Sequence, residues 1–364
     1  MDNALPAVKF AASQGFQRAL QQRVDVYFET TGQSERDCRQ MYLKTACILC
    51  WTVASYLALV FLADTWWLAL PLAISLGFAM AAVGFNIQHD GSHHAYSNRR
   101  WVNSLMAMSL DLLGGSSYVW ARKHNVVHHS FSNITHYDDD INIGFFGRLS
   151  PHQKRLGVHR LQHFYMWILY GLLPIKWQIH DDFRDVITGR IGEHPFKRPR
   201  GWDLVTFILG KATFLTLAFV IPLSRHSLGA VLPLYLAASF SQGVLLSVVF
   251  QLAHCVEDAA FPLPQPDNGR MKTDWAVHQV ETTVDFARDS RLLSWLIGGL
   301  NFQIEHHLFP RICHIHYRAI SHVVEETCAE FGVAYAAHPT IFASLTSHFR
   351  WLRRMGLAPV AQLE

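Results

Sequence analysis

The sequence predicts an all-α integral membrane protein with four transmembrane helices in two hairpins. Three observations carry this. Half of the 364 residues are hydrophobic and only 16% are charged, against roughly 25% charged in a soluble domain. Four segments, at 41–63, 66–88, 202–223 and 229–253, reach the about 20 mostly apolar residues that a bilayer crossing needs. Lys and Arg are distributed very unevenly around those segments.

The elements follow in order. Residues 1–40 form an N-terminal arm without the continuous apolar core of a signal peptide. From 14 to 40 the arm reads as an amphipathic helix, with Phe16, Leu20, Val24 and Phe28 at four-residue spacing. Residues 41–88 make the first hairpin, turned at Asp64 and Thr65, with Trp66 and Trp67 at the membrane interface. Residues 89–201 form a long loop. Within it, "LQHFYMWILYGLLPIKW" at 161–177 contains Pro174 and reads as an interfacial or re-entrant helix rather than a fifth span. "KRPR" at 197–200 reads as a membrane-surface anchor. Residues 202–253 make the second hairpin, joined by "SRHSL", with Lys211 inside its first arm. Residues 254–364 close the chain, and "FPLPQPDNGRMKTD" at 261–274 is the predicted exposed loop.

Two hairpins leave the arm, the long loop and the C-terminal region on one side. Lys and Arg number six in 1–44, fourteen in 89–201 and nine in 255–364, while the hairpin tips hold only Arg225. The positive-inside rule places all three regions, and both termini, in the cytoplasm. A net charge of +3 is too small to suggest nucleic acid as a partner. The six cysteines form no disulfide framework, and Cys47 and Cys50 read as helix packing.

The chain has 22 histidines, and eight of them fall in three clusters on that cytoplasmic side. "HDGSHH" carries His89, His93 and His94. "HNVVHH" carries His124, His128 and His129. "QIEHH" carries Gln303, Glu305, His306 and His307. Residues three and four apart share a helix face, so each cluster can aim side chains at one point. Neutral imidazole is the usual ligand for zinc, copper, iron and nickel. A catalytic zinc needs three protein ligands, and eight are too many for one. No thiolate or Met cluster accompanies them. The Glu-x-x-His pairs of soluble di-iron bundles are missing from the spans. Two iron ions in an all-histidine site fit best. His254, at the end of the fourth span, is a candidate ninth ligand. His278 is a further candidate, with a supporting hydrogen bond as the alternative. Asp90, Asn125, Asn133, Asp138, Asp139, Asp140 and Glu305 are candidates to orient imidazoles through their second nitrogen; the acidic run can equally be a solvated loop. His152, His159, His163, His180, His194 and His226 lack the spacing and read as ordinary hydrogen-bonding residues. His314 and His316 are left out on the same ground.

"HDGSHH", "HNVVHH" and "FQIEHHLFP" resemble the three histidine boxes of the membrane fatty acid desaturases. Gln303 at the opening of the third box resembles the front-end, linoleoyl-CoA-desaturase-like branch. "RVDVYFETTG", "ARKHNVVHHSFSN", "FQLAHCVEDAAFP" and "WAVHQVETTVDFA" extend the resemblance to bacterial members over nearly the whole chain. The resemblance implies a membrane base under a cytosolic helical cap that holds a di-iron site, in a bacterial cytoplasmic membrane. It implies iron at His89, His93, His94, His124, His128, His129, His306 and His307. His254 matches the family's additional histidine between boxes two and three. Gln303 stands where relatives have a ligand histidine. Many front-end members carry a fused cytochrome b5 domain with an HPGG haem motif, and these residues contain none. Electrons are therefore expected from a separate ferredoxin, rubredoxin or cytochrome b5-type donor.

Unactivated C–H bonds do not yield to acid–base groups, so a redox metal, O2 and two external electrons are the expected means. The product is a double bond in an acyl chain carried on CoA, acyl carrier protein or membrane lipid. Tunnel walls are expected from 101–120 and 292–302, where Gly114, Gly115, Gly298 and Gly299 allow close passage. Arg122, Lys123, Arg148 and Lys154 are candidates for a carrier's phosphate or for the membrane surface. Hydroxylation or alkyne formation on the same scaffold remains an alternative. A histidine-rich metal transporter or sensor is the remote one; it calls for ionisable residues along the spans, which are nearly free of them.

Overall fold

A computed structural model describes residues 7–357. The described chain is mostly helical, and its strands make only two short pairs. Arg190–Ile191 pairs antiparallel with His194–Pro195. Asp285–Phe286 pairs parallel with Ala337–His338. Among the described residues, four helices have the length and apolarity to cross a membrane: Arg39–Phe61, Trp66–Ser92, Trp202–Leu223 and Leu228–His254. The second and fourth are the inner pair. They are 56% and 50% buried over their most apolar stretch, against 28% and 17% for the first and third. A stripe of small residues explains the close approach of that inner pair. Ala69, Ala73, Gly77 and Ala81 recur every four residues and are buried. A Cβ on Gly77 would lie 2.3 Å from the Ala238 carbonyl oxygen, so only glycine lets the two backbones meet there. Trp51 and Ser55 of the first span hydrogen-bond to Ser75 of the second.

The amphipathic helix of the arm runs Phe16–Thr31 and buries Phe16, Leu20, Val24 and Phe28. These pack on the helices Trp275–Glu281 and Tyr317–Phe331 in one apolar cluster. Residues 1–6 of the arm and 358–364 of the C-terminal region lie outside the described residues. The C-terminal helix Ile341–Leu357 packs on the segment that follows Gly157, through Trp351, Leu352 and Met355 against Met166 and Tyr170. Cys47 and Cys50 are exposed on the first span, so they are surface residues of that helix and not packing residues.

The segment at 161–177 is two helices, Gln162–Gly171 and Leu173–Lys176. It lies against the middle of the fourth span. A Cβ on Gly243 would sit 2.6 Å from the Gly171 and Tyr170 carbonyls and from Pro174. Gly243 precedes His254 by eleven residues, roughly 16 Å along a helix axis. The chain then returns past Lys211 of the third span. The Lys211 ammonium, placed among apolar side chains, donates to Asp182 Oδ2 at 2.7 Å and to the Gly114 carbonyl at 2.6 Å. A buried charge in a span needs such partners.

Candidate metal centre

The first histidine box ends the second span. The helix there opens into a π-helical turn at Val83–Gln88 before His89. Such wide turns concentrate at functional sites. Gly91 lets the box lie against the next helix: a Cβ would meet Ala107 N at 2.6 Å. The second box sits in another π-helical turn, Ala121–His128. The Asn125 amide donates to the Ser92 carbonyl at 2.8 Å and ties the two boxes together. The third box forms a short helix, Gln303–Leu308, every residue of which is buried.

These elements bring eight histidines to one place. His89, His93, His124 and His306 can each point a nitrogen into one group, with all four ligand atoms within 4.8 Å of one another. His128, His254 and His307 form a second such group. His129 lies between them, its ring 4.6 Å from His93, 4.7 Å from His306 and 4.4 Å from His307. The Nε2 atoms of His93, His129, His254, His306 and His307 are buried without a hydrogen-bond partner. Buried polar atoms are normally paired, so this set of inward lone pairs fits a metal and little else.

The protonation states agree. Burial first, and neighbouring imidazoles second, hold His93, His124, His129, His306 and His307 well below the usual histidine range. They are neutral and free to donate to a cation. His128 differs. Burial opposes its charge, but Asp138 and Asp140 outweigh that and raise it. His128 Nδ1 is 3.1 Å from Asp138 Oδ2, which fixes which nitrogen faces inward.

The remaining candidates are placed as follows. His94 stands outside: it takes a left-handed φ of 59° where the box helix ends, is exposed, and feels Arg311, Arg100 and Arg36 rather than the other boxes. Its place on the helix is past the last turn, so it turns away from the partners that His89 and His93 reach. His278 places Nε2 3.0 Å from the Ser132 carbonyl and is absent from both ligand groups, which is the hydrogen-bonding alternative. Gln303 is buried with its amide nitrogen unpartnered. Asp90 pairs with His314 Nδ1 at 2.8 Å, not with a box histidine, and His314 Nε2 is 2.8 Å from Lys44 Nζ. Asn125 and Asn133 bind backbone instead of imidazole. The Asn133 amide donates to the His254 carbonyl at 2.9 Å and holds the fourth span to box two. Asp139 pairs with Lys123. Glu305 accepts from the Tyr335 hydroxyl at 3.0 Å, and burial with Asp285 beside it raises its carboxyl well above the usual range.

Other groups that orient the cage gave no signal in the sequence. His307 Nδ1 is 2.8 Å from Gln279 Oε1, His306 Nδ1 is 3.2 Å from the Tyr317 hydroxyl, and His254 Nδ1 is 3.2 Å from the Thr282 carbonyl. Trp120 stacks on His124 at 4.2 Å.

A largely apolar cavity of about 580 Å³ reaches His124, His128 and His254 and so touches both ligand groups. Leu110, Gly115, Val119 and Trp120 line it, from the first expected wall. The second expected wall, 292–302, contributes nothing. Gly298 and Gly299 are closed by packing on the Phe85 and His314 carbonyls. The opposite wall comes instead from Met166 to Asp185 and from the end of the fourth span. Arg148 is fully buried and donates to the Met355 and Pro151 carbonyls, so it serves structure and no carrier. Lys123 lines the cavity but is engaged by Asp139 and Asp140.

The family model described as fatty acid desaturase matches residues 65–339. The chain is 40% identical over 361 residues to a protein named sn-1 linoleoyl-lipid 6-desaturase from Arthrospira platensis, covering 99% of this chain and 97% of that one. A protein of the same name from Synechocystis sp. is 36% identical, covering 96% and 98%. The acyl-lipid (8-3)-desaturase of Physcomitrium patens is 40% identical over 95% of this chain and 73% of its own length.

Proposed function

The chain belongs to the fatty acid desaturase family, and from that membership we propose that it converts lipid-linked linoleoyl chains by inserting a double bond at carbon 6. The substrate and position follow the names of its cyanobacterial relatives. The observation that carries the reading is an apolar cavity that ends on both groups of a buried histidine cage.

Two iron ions are the proposed metals. His89, His93, His124 and His306 would hold one and His128, His254 and His307 the other, with His129 between them. Iron there supplies the redox chemistry with O2 that removal of unactivated hydrogens needs. The chain's own residues do the rest. Trp120, Leu110 and Met166 would keep the acyl chain in an apolar channel that excludes water. Asp138, Gln279 and Tyr317 hold three of the imidazoles in one orientation. The four spans are read as two hairpins under a cytosolic cap, in a bacterial cytoplasmic membrane with the site and termini in the cytoplasm. A separate ferredoxin, rubredoxin or cytochrome b5-type protein would deliver the two electrons.

The test is mass spectrometry of total acyl chains from cells supplied with linoleate and expressing the chain or its His306→Ala variant. The wild type alone should yield a triene two mass units below linoleate, with the new bond at carbon 6. Metal analysis should give two irons per chain. Matching acyl profiles from a purified, iron-loaded protein supplied with reductant would overturn the reading.

A further inference from the structure

Two thiols that the metal centre does not use meet beside it. Cys38 caps the start of the first span, and Cys313 follows His307 by six residues. The fold joins these distant segments. The Cys313 amide donates to the Glu35 carbonyl at 2.9 Å, and both side chains pack in one cluster with Met41 and Tyr96. The two sulfurs are hydrogen-bonded to each other. Cys313 also faces the metal side. Its sulfur, an Asp90 oxygen and a His314 nitrogen lie within 4.8 Å of one another, and Asp90 adjoins His89 of the first ligand group. His314 is engaged at both nitrogens, by Asp90 and by Lys44, so these three groups are not a further metal site.

The two thiols are not equivalent. Cys38 is 9% exposed and Cys313 is fully buried behind it. His316 Nε2 lies 3.0 Å from the Ser34 carbonyl and 3.1 Å from Cys38 Sγ. A carbonyl only accepts, so Nε2 carries the hydrogen and presents it to the sulfur as well. The hydrogen bond from Cys313 first, and the His316 contact with it, hold Cys38 down at about 5 against its burial. Burial pushes Cys313 the other way, well above the usual thiol range. Cys38 is therefore the thiolate, and Cys313 keeps its proton. The thiolate is the form that oxidants attack. A thiol in contact with it converts the first oxidation product into a disulfide.

We propose that Cys38 and Cys313 are a peroxide-reactive pair that closes reversibly to a disulfide. In the first step the Cys38 sulfur gives an electron pair to one oxygen of hydrogen peroxide. The O–O bond breaks and Cys38 becomes a sulfenic acid. Hydroxide leaves and takes up the proton that Cys38 gave up, forming water. In the second step the Cys313 sulfur attacks Cys38. The S–S bond forms, and the sulfenic oxygen leaves with the Cys313 proton as a second water. Peroxide gains two electrons and the two thiols lose two. A dithiol reductant reverses the change. Hydrogen peroxide is the two-electron reduction product of O2, the gas proposed to react at the neighbouring centre. The pair itself stands on thiol geometry and not on the substrate reading.

The experiment uses the full, iron-loaded chain in lipid nanodiscs, with Cys47→Ser and Cys50→Ser removing the exposed thiols. Hydrogen peroxide is added in slight excess over protein. Free thiols are then alkylated after unfolding, and the peptides are read by mass spectrometry. The expected product is a peptide pair joined through residues 38 and 313, two hydrogens lighter than the separate thiol peptides, in most chains. It should vanish on adding a dithiol reductant, and Cys255 and Cys328, which are also buried, should remain fully alkylated. Cys313→Ser should stall at the sulfenic acid, so that dimedone labels Cys38. Cys38→Ser should leave Cys313 alkylated. Peroxide treatment that yields no joined peptide, with both thiols still alkylated, overturns the proposal. Equal oxidation of Cys38, Cys255 and Cys328 also overturns it, as unselective damage. These readouts follow thiols alone, so a failure of the desaturase reading would leave them unchanged.

Discussion

A histidine that is to hold a metal must be neutral, aimed, and kept from its neighbours' protons. Burial supplies the first, since it pushes His93, His129, His306 and His307 well below the usual range. Aim comes from the outer nitrogen, as in the contact of His128 with Asp138. Asp138→Asn should weaken metal binding by about 10–100-fold, read by competition with a chelator. His94→Ala should leave metal content and turnover at wild-type values, because His94 is exposed and outside the cage. Loss of metal in that variant would place it back among the ligands. At this scale the sequence was legible where spacing was the signal. Box spacing singled out His89, His93, His124, His128, His129, His306 and His307, and position at a span end singled out His254; the structure brings these eight together. Spacing could not show that His94 stands apart from the other box histidines, because adjacency in "HH" does not say where a helix stops. It was silent on Gln279, Tyr317 and the Thr282 carbonyl, which are common groups placed by the fold 11 to 28 residues away from the histidines they face.

Helices need their own fit before they can position anything. The four spans were readable from length and apolarity alone, and their ends agree with the expected ones to within a few residues. The segment at 161–177 was not, because Pro174 and its short runs suit several placements. Only its packing against Gly243 shows how deep it goes. The lining of this cavity was not legible for the same reason: 292–302 is as apolar as 166–182, and only tertiary contact puts the second segment and not the first along it. Gly243→Leu puts a side chain where a Cβ would already meet backbone at 2.6 Å. It should cost about 1–3 kcal/mol or more, lower the thermal midpoint and reduce turnover together. The π-helical turn in box two makes a different demand. Deleting Ala121 should restore a tighter turn, rotate His124 and His128 off their targets by about 100°, and remove bound metal without removing the spans.

Across the whole molecule, one imidazole of the C-terminal helix bridges the end of the fourth span and Tyr170, beside the apolar packing already described. His348 donates from Nδ1 to the Cys255 carbonyl at 2.7 Å and accepts at Nε2 from the Tyr170 hydroxyl at 2.8 Å. Burial lowers its pKa from 6.5 to about 4. The unfolded chain thus binds the proton first as pH falls. Stability is complete above pH 6.5 and is lost progressively between 6.5 and 4. The loss from this one group should reach about 2 kcal/mol by pH 5. Thermal midpoints measured at pH 7 and pH 5 should show it, and His348→Gln should shrink the difference. A larger question of order follows from where the cage donors lie. They come from positions 89 to 307, on both sides of the third and fourth spans. Synthesis must deliver the whole of that stretch, and the membrane must accept the second pair of spans, before either metal group is complete. Metal supply therefore acts on a finished, inserted polypeptide. On the proposed di-iron reading, iron would be loaded after translation and insertion rather than during them.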